Sequence, residues 1–434
     1  MTANMTMHNQ DVQTVHSTRE LLGTIDLPAD KSIAHRTALF AAMGNGKSHI
    51  VGYPESADPQ STLACLSQLG IKIDSDDVGL VVHGNGLHGF RAPEAPLDCG
   101  NSGTTMRLMA GILAGQNFFS TLTGDASLSS RPMNRIVDPL SLMGASITSD
   151  AGHAPLSIRG NSGLKAITYN LPVASAQVKS CVLLAGHFAD GITTVVESTP
   201  SRDHTERMLG LSSFSTEGKT HISVSGGQPI ESKLWSIPAD FSAAAFFLVA
   251  GSIVPGSVLH LPRVGLNPSR TGLIDVLRAM GANISIKNER LVSGEVIADL
   301  TVRSAPLNGI QIEGDIIANI IDEIPILTVA AAVANGETTI SGAEELRHKE
   351  ADRIAAMAVG LTTLGALIEE RKDGLIIAGN AKLKGGTVDS FHDHRIAMSM
   401  GIAGLVASEP VHVRGASAAS VSFPSFWETL QSLM

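Results

Sequence analysis

The chain has 434 residues, of which 43% are apolar and 17% are charged. This length predicts two or three domains with sizeable cores, and the composition excludes a disordered or fibrous protein. A formal net charge of −10, with only two Trp and two Tyr, argues against a nucleic-acid-binding protein and against docking on anionic membranes.

The first twenty residues lack the apolar run of a signal peptide, and we expect them to form a flexible tail. The most apolar stretch, residues 241–254, is shorter than a membrane span. Cys65, Cys99 and Cys181 are odd in number and share no CxxC spacing, so neither a disulfide framework nor a zinc ribbon is expected. A soluble cytoplasmic protein is predicted, and a monomer because no coiled coil or pairing edge is visible.

Six apolar runs rich in Ala and Gly recur along the chain, roughly every 72 residues. Each opens on a polar turn, is long enough for a helix and usually closes on Gly, which commonly ends helices. None has a broad polar face after its first turn, and this indicates buried helices. The runs begin at Asp30, Thr104, Ala176, Asp240, Asp322 and Asp393.

A second pattern recurs between these runs, at 66–73, 140–147, 277–284 and 361–368. It predicts an amphipathic helix, a Gly cap and then a strand. Two helices and several strands per repeat, in six repeats of about 72 residues, give an α/β protein with apolar helices inside and sheets outside. We place the boundary between two three-repeat domains near Asp240. A six-bladed propeller and a doubly wound sheet fit less well, because neither accommodates fully buried helices.

Basic residues lie beside turns at or near the predicted helix starts. Unpaired N–H groups and the helix dipole make such starts favourable for anions, and Arg and Lys side chains suit phosphate and carboxylate. We therefore predict an interdomain cleft for a small ligand with more than one phosphate or carboxylate group. The segments are 30–36, 100–105, 130–135, 175–177, 201–202 and 347–353, together with Arg395.

Three other motifs and one cysteine are not assigned a function. Residues 84–89 match GxGxxG, but two prolines follow where a dinucleotide site needs a helix. Residues 44–48 resemble a phosphate loop, but they end a predicted helix. The sequence His-Asp-His at 392–394 is predicted to make hydrogen bonds around a helix start and not to bind a metal. Cys99 is interpreted as a small buried residue, not as a nucleophile.

The chain closely resembles the 5-enolpyruvylshikimate-3-phosphate synthase family from about residue 20 to its end. The shared motifs occur in the family's order: LPADKSIAHR, LDCGNSGTTMRLM, GDASLSSRPM, LPVASAQVKSCVLLAG, STPSRDHTERML, IPADFSAAAFFLVA, DEIPILTVAAA, AEELRHKEADRI and DHRIAM. The resemblance implies two inside-out α/β domains, an inverse α/β barrel of six repeats. Residues 25–240 would form the first domain, and 1–24 with 241–434 the second.

The resemblance also implies a reaction and its residues. Phosphoenolpyruvate would transfer its enolpyruvyl group to the 5-hydroxyl of shikimate 3-phosphate through a tetrahedral intermediate, with no metal or organic cofactor. Shikimate 3-phosphate would be held by Lys31, Ser32, Arg36, Ser175, Gln177 and Arg202. Phosphoenolpyruvate would be held by Gly103, Arg131, Arg353 and Arg395, with help from Lys31 and Lys349. Asp322 would accept the hydroxyl proton, and Glu350, supported by Lys349, would move protons at C3.

Two rival interpretations remain. The related UDP-N-acetylglucosamine enolpyruvyl transferases lack the DKSxxHR signature and usually carry a cysteine on a mobile loop, a pattern that none of the three cysteines here fits. A non-catalytic anion-binding relative is expected to lose Asp322, Lys349 or Glu350 first, and all three are present. One departure from some family members is the absence of a basic residue just before Phe423-Pro424.

Overall fold

The computed structural model describes residues 11–161 and 163–434, which form two compact units. The inserted unit comprises Ala29–Pro238 and Arg290–Ile297. The terminal unit comprises the described residues up to Pro28 together with Ala239–Glu289 and Ala298–Met434. The domain ranges implied by the family resemblance stay a prediction.

Helices and strands alternate along the described residues. The helices are α1 (Lys31–Met43), α2 (Ala57–Gln68), α3 (Gly103–Ala114), α4 (Ala126–Ser129), α5 (Asn134–Leu142), α6 (Ala176–Gly186), α7 (His204–Leu209), α8 (Phe241–Ile253), α9 (Gly272–Ala279), α10 (Ile316–Ile320), α11 (Ile324–Val333), α12 (Arg353–Thr363), α13 (His394–Gly404) and α14 (Phe426–Ser432). Short 3₁₀ helices span Glu344–His348 and Ala416–Val421.

The strands are β1 (Val12–Val15), β2 (Leu22–Thr24), β3 (Asn45–Val51), β4 (Lys72–Ser75), β5 (Leu80–Asn85), β6 (Leu97–Asp98), β7 (Phe119–Thr123), β8 (Ser146–Asp150), β9 (His153–Arg159), β10 (Leu164–Lys165), β11 (Thr168–Asn170), β12 (Ala189–Asp190), β13 (Ile192–Glu197), β14 (Ser212–Thr216), β15 (Lys219–Ser225), β16 (Leu234–Ser236), β17 (Val258–Gly265), β18 (Asn283–Val292), β19 (Glu295–Arg303), β20 (Gln311–Ile312), β21 (Thr338–Ile340), β22 (Ile368–Arg371), β23 (Gly374–Ile377), β24 (Gly386–Asp389) and β25 (Val411–Arg414).

Three apolar helices, α1, α3 and α6, form the interior of the inserted unit, and nearly all their residues are buried. Each begins after a polar residue whose side chain accepts a backbone N–H: Asp30, Ser102 and Ser175. Helix α3 packs closely on α6 because Gly111 has no side chain; a Cβ there would overlap the carbonyl oxygen of Cys181. The prediction of helices buried on all sides is confirmed.

The interior of the terminal unit repeats this design with α8, α11 and α13, which pack on one another and are almost entirely buried. Gly401 in α13 leaves room for the indole of Trp427, which a Cβ would approach to 2.7 Å. Phe426 of α14 lies edge-on to Phe246 and Phe423 and closes this end of the core.

The sheets share one strand order in both units. A parallel pair is followed by two antiparallel strands, as in β16-β3-β5-β4, β6-β7-β9-β8, β11-β13-β15-β14 and β20-β21-β23-β22. A further four-stranded sheet has the order β18-β19-β17-β2. Burial alternates along strands such as β9, so one face of each strand packs inward. The predicted α/β fold, with helices inside and sheets outside, is confirmed; the number of repeats stays a prediction.

The amphipathic helices of the second pattern end on glycine as expected. Gly70, Gly144, Gly281 and Gly365 follow α2, α5, α9 and α12 with φ between 82° and 107°, and strands β4, β8, β18 and β22 come next. Only glycine adopts this left-handed backbone without strain, so the glycine fixes where each helix stops.

The prediction of a flexible tail over the first twenty residues is wrong for the residues that the structure describes. Val12–Val15 pairs antiparallel with β25, Val12 opposite Arg414, and completes the sheet β1-β25-β24. Val15 is buried against Gly404. Residues 1–10 lie outside the described residues. Within the described ranges, no helix combines the length and hydropathy needed to cross a bilayer.

Candidate active site

The start of α1 places three predicted ligand-binding residues on the first turns of one capped helix. The Asp30 carboxylate accepts the N–H of Ile33 at 2.8 Å, and Lys31 begins the helix with its Nζ 3.0 Å from Asp58. Arg36, one turn later, is buried and donates to Thr205, to the carbonyl of Ser32 and to Ser180 at 2.9–3.0 Å. Arg36 therefore ties the start of α1 to α6 and α7.

A group of guanidinium ions surrounds the start of α3. A Cβ on Gly103, the first residue of α3, would lie 3.1 Å from a terminal nitrogen of Arg107 and 3.5 Å from one of Arg131. Arg131 is held by the side chains of Asn101 at 2.6 Å and Ser127 at 3.2 Å. The structure thus brings together Gly103 and Arg131, which the family resemblance assigns to one ligand.

Arg107 is a candidate site residue that the motifs of the sequence do not indicate. It is buried, donates to the side-chain oxygen of Gln177, and its Nε has no hydrogen-bond partner among the described residues. Burial, reinforced by Arg135 and Arg131, lowers the pKa of Arg107 to about 10. A bound anion would relieve this repulsion. The available signal was spacing, since a residue four positions after Gly103 lies on the same helix face.

The start of α6 carries Ser175 and Gln177. The Ser175 hydroxyl accepts the N–H of Val178, and the Gln177 amide nitrogen donates to Thr104 at 3.1 Å, which joins α6 to α3. Arg202 lies in the 198–203 loop between β13 and α7. The starts of α1, α3 and α6 are therefore linked inside the inserted unit by side chains that the sequence analysis marked as anion ligands.

The predicted proton-transfer residues lie together in the terminal unit, around Arg353. This buried arginine begins α12 and donates to Glu350 at 2.7 Å, to Asp393 at 2.8 Å and to Asp322 at 3.4 Å. Burial by itself lowers the pKa of Arg353, but Asp393, Glu350 and Asp322 outweigh that effect and hold the pKa above its ordinary value. The guanidinium is permanently charged and orients both Asp322 and Glu350.

Lys349 and Arg395 complete this group. The Lys349 ammonium lies 3.7 Å from Asp322 and 2.6 Å from Glu345. Arg395 lies 3.8 Å from the Asp322 carboxylate and donates to the Asp322 carbonyl oxygen at 2.6 Å. Asp322 is thus surrounded by three cations, and all five residues predicted for this unit are within one network.

Several supporting residues were not predicted as part of the site. Asp393 binds Arg353 and caps α13 through the N–H groups of Arg395 and Ile396, as expected for a residue that starts a helix. Buried Glu323 accepts from Ser242 at 2.5 Å and from Arg395 at 3.3 Å. Apart from the cap of α13, sequence alone gives no signal for these contacts, because the two partners of each are at least 40 residues apart. No three His, Cys, Asp or Glu side chains in the described ranges are placed to hold a metal ion.

The arrangement allows two kinds of chemistry. Cations at helix starts can bind phosphate and carboxylate groups of small ligands. Two carboxylates held by one guanidinium can accept and return protons at fixed positions. The α/β fold, the cations of the inserted unit and the carboxylates of the terminal unit define a class of protein that can bind small polyanions and can carry out proton transfer.

Comparison with known proteins identifies the family. A model of the family described as EPSP synthase (3-phosphoshikimate 1-carboxyvinyltransferase) matches residues 15–430. The chain is 58% identical over 423 residues to a 3-phosphoshikimate 1-carboxyvinyltransferase of Salinibacter ruber, covering 96% of this chain and 98% of that protein. It is 52% identical to one of Alkalilimnicola ehrlichii, covering 94% and 92%. The chain belongs to the EPSP synthase family, a family of enzymes.

Solved structures agree with this assignment. EPSP synthase from Acinetobacter baumannii superimposes with a TM-score of 0.89 at 44% identity, over 98% of both chains. The enolpyruvyl transferase NikO from Streptomyces tendae superimposes with a TM-score of 0.75 at 18% identity, over 98% of this chain and 97% of the other. At that identity, the second likeness shows a shared fold only.

Proposed function

We propose that the chain transfers the enolpyruvyl group of phosphoenolpyruvate to the 5-hydroxyl of shikimate 3-phosphate and releases phosphate. The observation that carries the proposal is the attachment of Asp322 and Glu350 to one guanidinium, that of Arg353, in a chain whose relatives bear the name of this activity. The proposed reaction needs two proton-transfer groups and several cations, and it needs no metal.

In the addition step, the 5-hydroxyl oxygen bonds to C2 of phosphoenolpyruvate while a proton reaches C3. Asp322 takes the hydroxyl proton, and Glu350, supported by Lys349, delivers the proton to C3. In the elimination step, the tetrahedral intermediate loses phosphate from C2 and a proton from C3. Glu350 takes back the C3 proton, and the proton held by Asp322 leaves with the phosphate, which returns both groups to their starting states. Lys349, Arg353 and Arg395 lie 3.4–3.8 Å from the Asp322 carboxylate and hold it in position for this role.

Most of the anion-binding groups in this proposal belong to the inserted unit. Shikimate 3-phosphate binds to Lys31, Ser32, Arg36, Ser175, Gln177 and Arg202. Phosphoenolpyruvate binds beside Gly103 to Arg131 and Lys31, and Lys349, Arg353 and Arg395 neutralise its charges. The absence of a side chain on Gly103, between Arg107 and Arg131, supports close approach of a ligand to the helix start.

Two alternative functions would give different results in the phosphate-release experiment described below. A UDP-N-acetylglucosamine enolpyruvyl transferase would share the fold, but all three cysteines here are buried, which disfavours a reactive cysteine. A non-catalytic anion-binding relative would have no need for the Asp322–Arg353–Glu350 arrangement.

The deciding experiment measures phosphate release from phosphoenolpyruvate with each acceptor separately. We expect phosphate release with shikimate 3-phosphate as the acceptor and none with UDP-N-acetylglucosamine. Loss of this release in an Asp322→Ala variant would support Asp322 as the base. Release with UDP-N-acetylglucosamine would transfer the chemistry to the rival enzyme. Binding of shikimate 3-phosphate without release in either assay would indicate a non-catalytic relative.

We further propose that the protein acts as a monomer in the cytoplasm, without nucleic-acid or membrane partners. The three cysteines are free and buried, as is common in reducing compartments. Sedimentation at working concentration and fractionation of cells test these two statements.

A further inference from the structure

A buried ammonium group, that of Lys179, lies behind the residues proposed to bind shikimate 3-phosphate. Its side chain is fully buried. The Nζ donates to Glu197 at 3.0 Å, to Glu206 at 2.6 Å and to the carbonyl oxygen of Ser201 at 3.2 Å. All three N–H bonds of the ammonium therefore have acceptors, which is the condition for burying such a charge.

The second oxygen of Glu197 holds the same serine. Glu197 is the last residue of β13, and its Oε2 accepts the backbone N–H of Ser201 at 3.2 Å and the Ser201 hydroxyl at 2.7 Å. Lys179 and Glu197 together thus bind the amide, the hydroxyl and the carbonyl of Ser201. The residue directly before Arg202 has all its polar groups fixed by one buried pair.

Lys179, the other member of this pair, belongs to α6, and Ser175 and Gln177 lie at the start of the same helix. Helical hydrogen bonding connects the N–H of Lys179 to the carbonyl of Ser175 at 3.0 Å. The helical turn that presents Ser175 and Gln177 therefore also carries the ammonium that holds Ser201. Two segments proposed to bind the same ligand are joined by a single buried contact.

A second buried cation, Arg36, lies near this network. Arg36 donates to Ser180 and Thr205, whose hydroxyls are 2.7 Å apart, and its charge interacts with that of Glu206. Burial raises the pKa of Glu206, and Lys179 opposes that effect. Buried ion pairs seldom stabilise a fold more than apolar packing of the same volume. A positional role explains this arrangement better than a contribution to stability.

We propose that Lys179 and Glu197 are positioning residues that fix the 198–203 loop, and with it Arg202, for binding the phosphate of the acceptor. This inference rests on the proposed function for the identity of the ligand. Neither residue needs to touch the ligand, because each acts through Ser201.

Kinetics of the full chain test the link to ligand binding. The Glu197→Gln variant keeps the shape but weakens the hold on Lys179 and Ser201, so we expect the KM for shikimate 3-phosphate to rise about ten-fold, with kcat and the KM for phosphoenolpyruvate within about three-fold. Ser201→Ala removes only the hydroxyl contact and should raise the same KM by about three-fold. This milder variant leaves the buried charges paired. If Glu197→Gln does not fold, an unchanged KM for shikimate 3-phosphate in Ser201→Ala would contradict the proposal.

A control variant separates position from stability. Buried Gln116 donates to the carbonyls of Leu87 and Ile112 near the end of α3, more than three helical turns from Gly103. Gln116→Ala should lower stability without changing the KM for shikimate 3-phosphate. An equal rise in that KM in the control and in Glu197→Gln would overturn the proposal.

A double-mutant cycle tests whether the effect passes through Arg202. If it does, Glu197→Gln should change the KM for shikimate 3-phosphate by less than about two-fold in an Arg202→Ala background. If Glu197→Gln raised the KM for shikimate 3-phosphate by the same factor with and without Arg202, the proposal would be contradicted.

Hydrogen exchange separates this inference from the proposed function, because it needs no ligand. In Glu197→Gln, amides of the 198–203 loop should exchange at least about ten-fold faster, while those of α3 are unchanged. Unchanged exchange in the loop would overturn the positioning role, even in an active enzyme. Absence of phosphate release by the unmodified chain would overturn the proposed function and leave the exchange result as the test of the loop.

Discussion

Arg353 holds Glu350, three residues earlier in the chain, through a 2.7 Å bond from a terminal nitrogen to a carboxylate oxygen. The guanidinium is buried, whereas a third of the Glu350 side chain is exposed. The Nε of Arg353 is in turn fixed by Asp393, which is fully buried at the start of α13. An accessible carboxylate therefore has its orientation set by a buried pair, as a proton-transfer group requires.

The Asp393–Arg353 pair is expected to be essential for stability of the terminal unit. Asp393→Ala would leave a buried guanidinium without its main partner and remove the cap of α13, at a cost of about 3–5 kcal/mol. Urea unfolding followed by circular dichroism measures this. The exposed Glu369–Arg371 pair is the control, and Glu369→Ala should cost less than about 1 kcal/mol. Similar small costs for both variants would contradict the prediction.

Asp322→Asn should lower kcat by about 10²–10⁴-fold with little change in either KM, because the amide keeps the shape but cannot accept the hydroxyl proton. Phosphate release under saturating substrates measures the change. The matched control is Asp315→Asn, seven residues earlier and exposed, which should retain full activity. A loss confined to KM would assign Asp322 to binding and not to proton transfer.

Gly103→Ala should weaken phosphoenolpyruvate binding, since the new methyl group would fill the space beside this helix start and would lie 3.1 Å from Arg107, which must shift by a few tenths of an ångström. We expect the KM for phosphoenolpyruvate to rise about ten-fold and the thermal midpoint to stay unchanged, because Ala is favoured over Gly in helices. Steady-state kinetics and a thermal scan check both. An unchanged KM would show that the ligand does not approach this helix start.

The cysteines should be unreactive in the folded chain. Burial raises the pKa of the Cys181 thiol, and a hydrogen bond with Cys65, followed by burial, raises that of Cys99. Only thiolates alkylate readily, so N-ethylmaleimide should label the native chain more than about 100-fold more slowly than the urea-unfolded chain. Mass spectrometry counts the labels. Rapid inactivation by the reagent would favour the rival enzyme with a catalytic cysteine.

The buried helices could be predicted from the sequence because their signals are local. In α1, for example, Asp30 caps the N–H of Ile33 three residues later, and the apolar run that follows has no polar face. Candidate site residues such as Asp322 and Arg353 could be assigned because their motifs resemble those of the family, and their roles stay predictions.

Contacts between distant segments could not be predicted. Arg107 lies inside an apolar run, and its partner Gln177 is 70 residues away. Strand β1 pairs with β25, which lies about 400 residues later in the chain. The polar N-terminal sequence therefore contains no indication that it forms a strand of a sheet. Only tertiary packing brings such residues together, and single-sequence patterns do not record it.

His35 should make stability depend on pH. Burial, reinforced by Lys31 and Arg36 and opposed by Asp58, lowers the pKa of His35 to about 3, from an ordinary value of 6.5. Its Nδ1 lies 2.7 Å from the Thr62 hydroxyl, and its ring is fully buried. Between pH 6.5 and 3 the unfolded chain binds a proton that the folded chain does not, so stability is complete above pH 6.5 and falls as the pH decreases.

The expected loss from this histidine is about 2 kcal/mol at pH 5, given about 1.4 kcal/mol per unit of pH. His35→Asn removes the titrating group and keeps a polar side chain, so its stability should decrease by about 2 kcal/mol less than that of the unmodified chain between pH 7.5 and 5. Urea unfolding at the two pH values measures the difference. His16→Asn, at an exposed position, should leave the pH dependence unchanged. Equal pH dependence in the unmodified chain and in His35→Asn would show that the buried imidazole does not set acid stability.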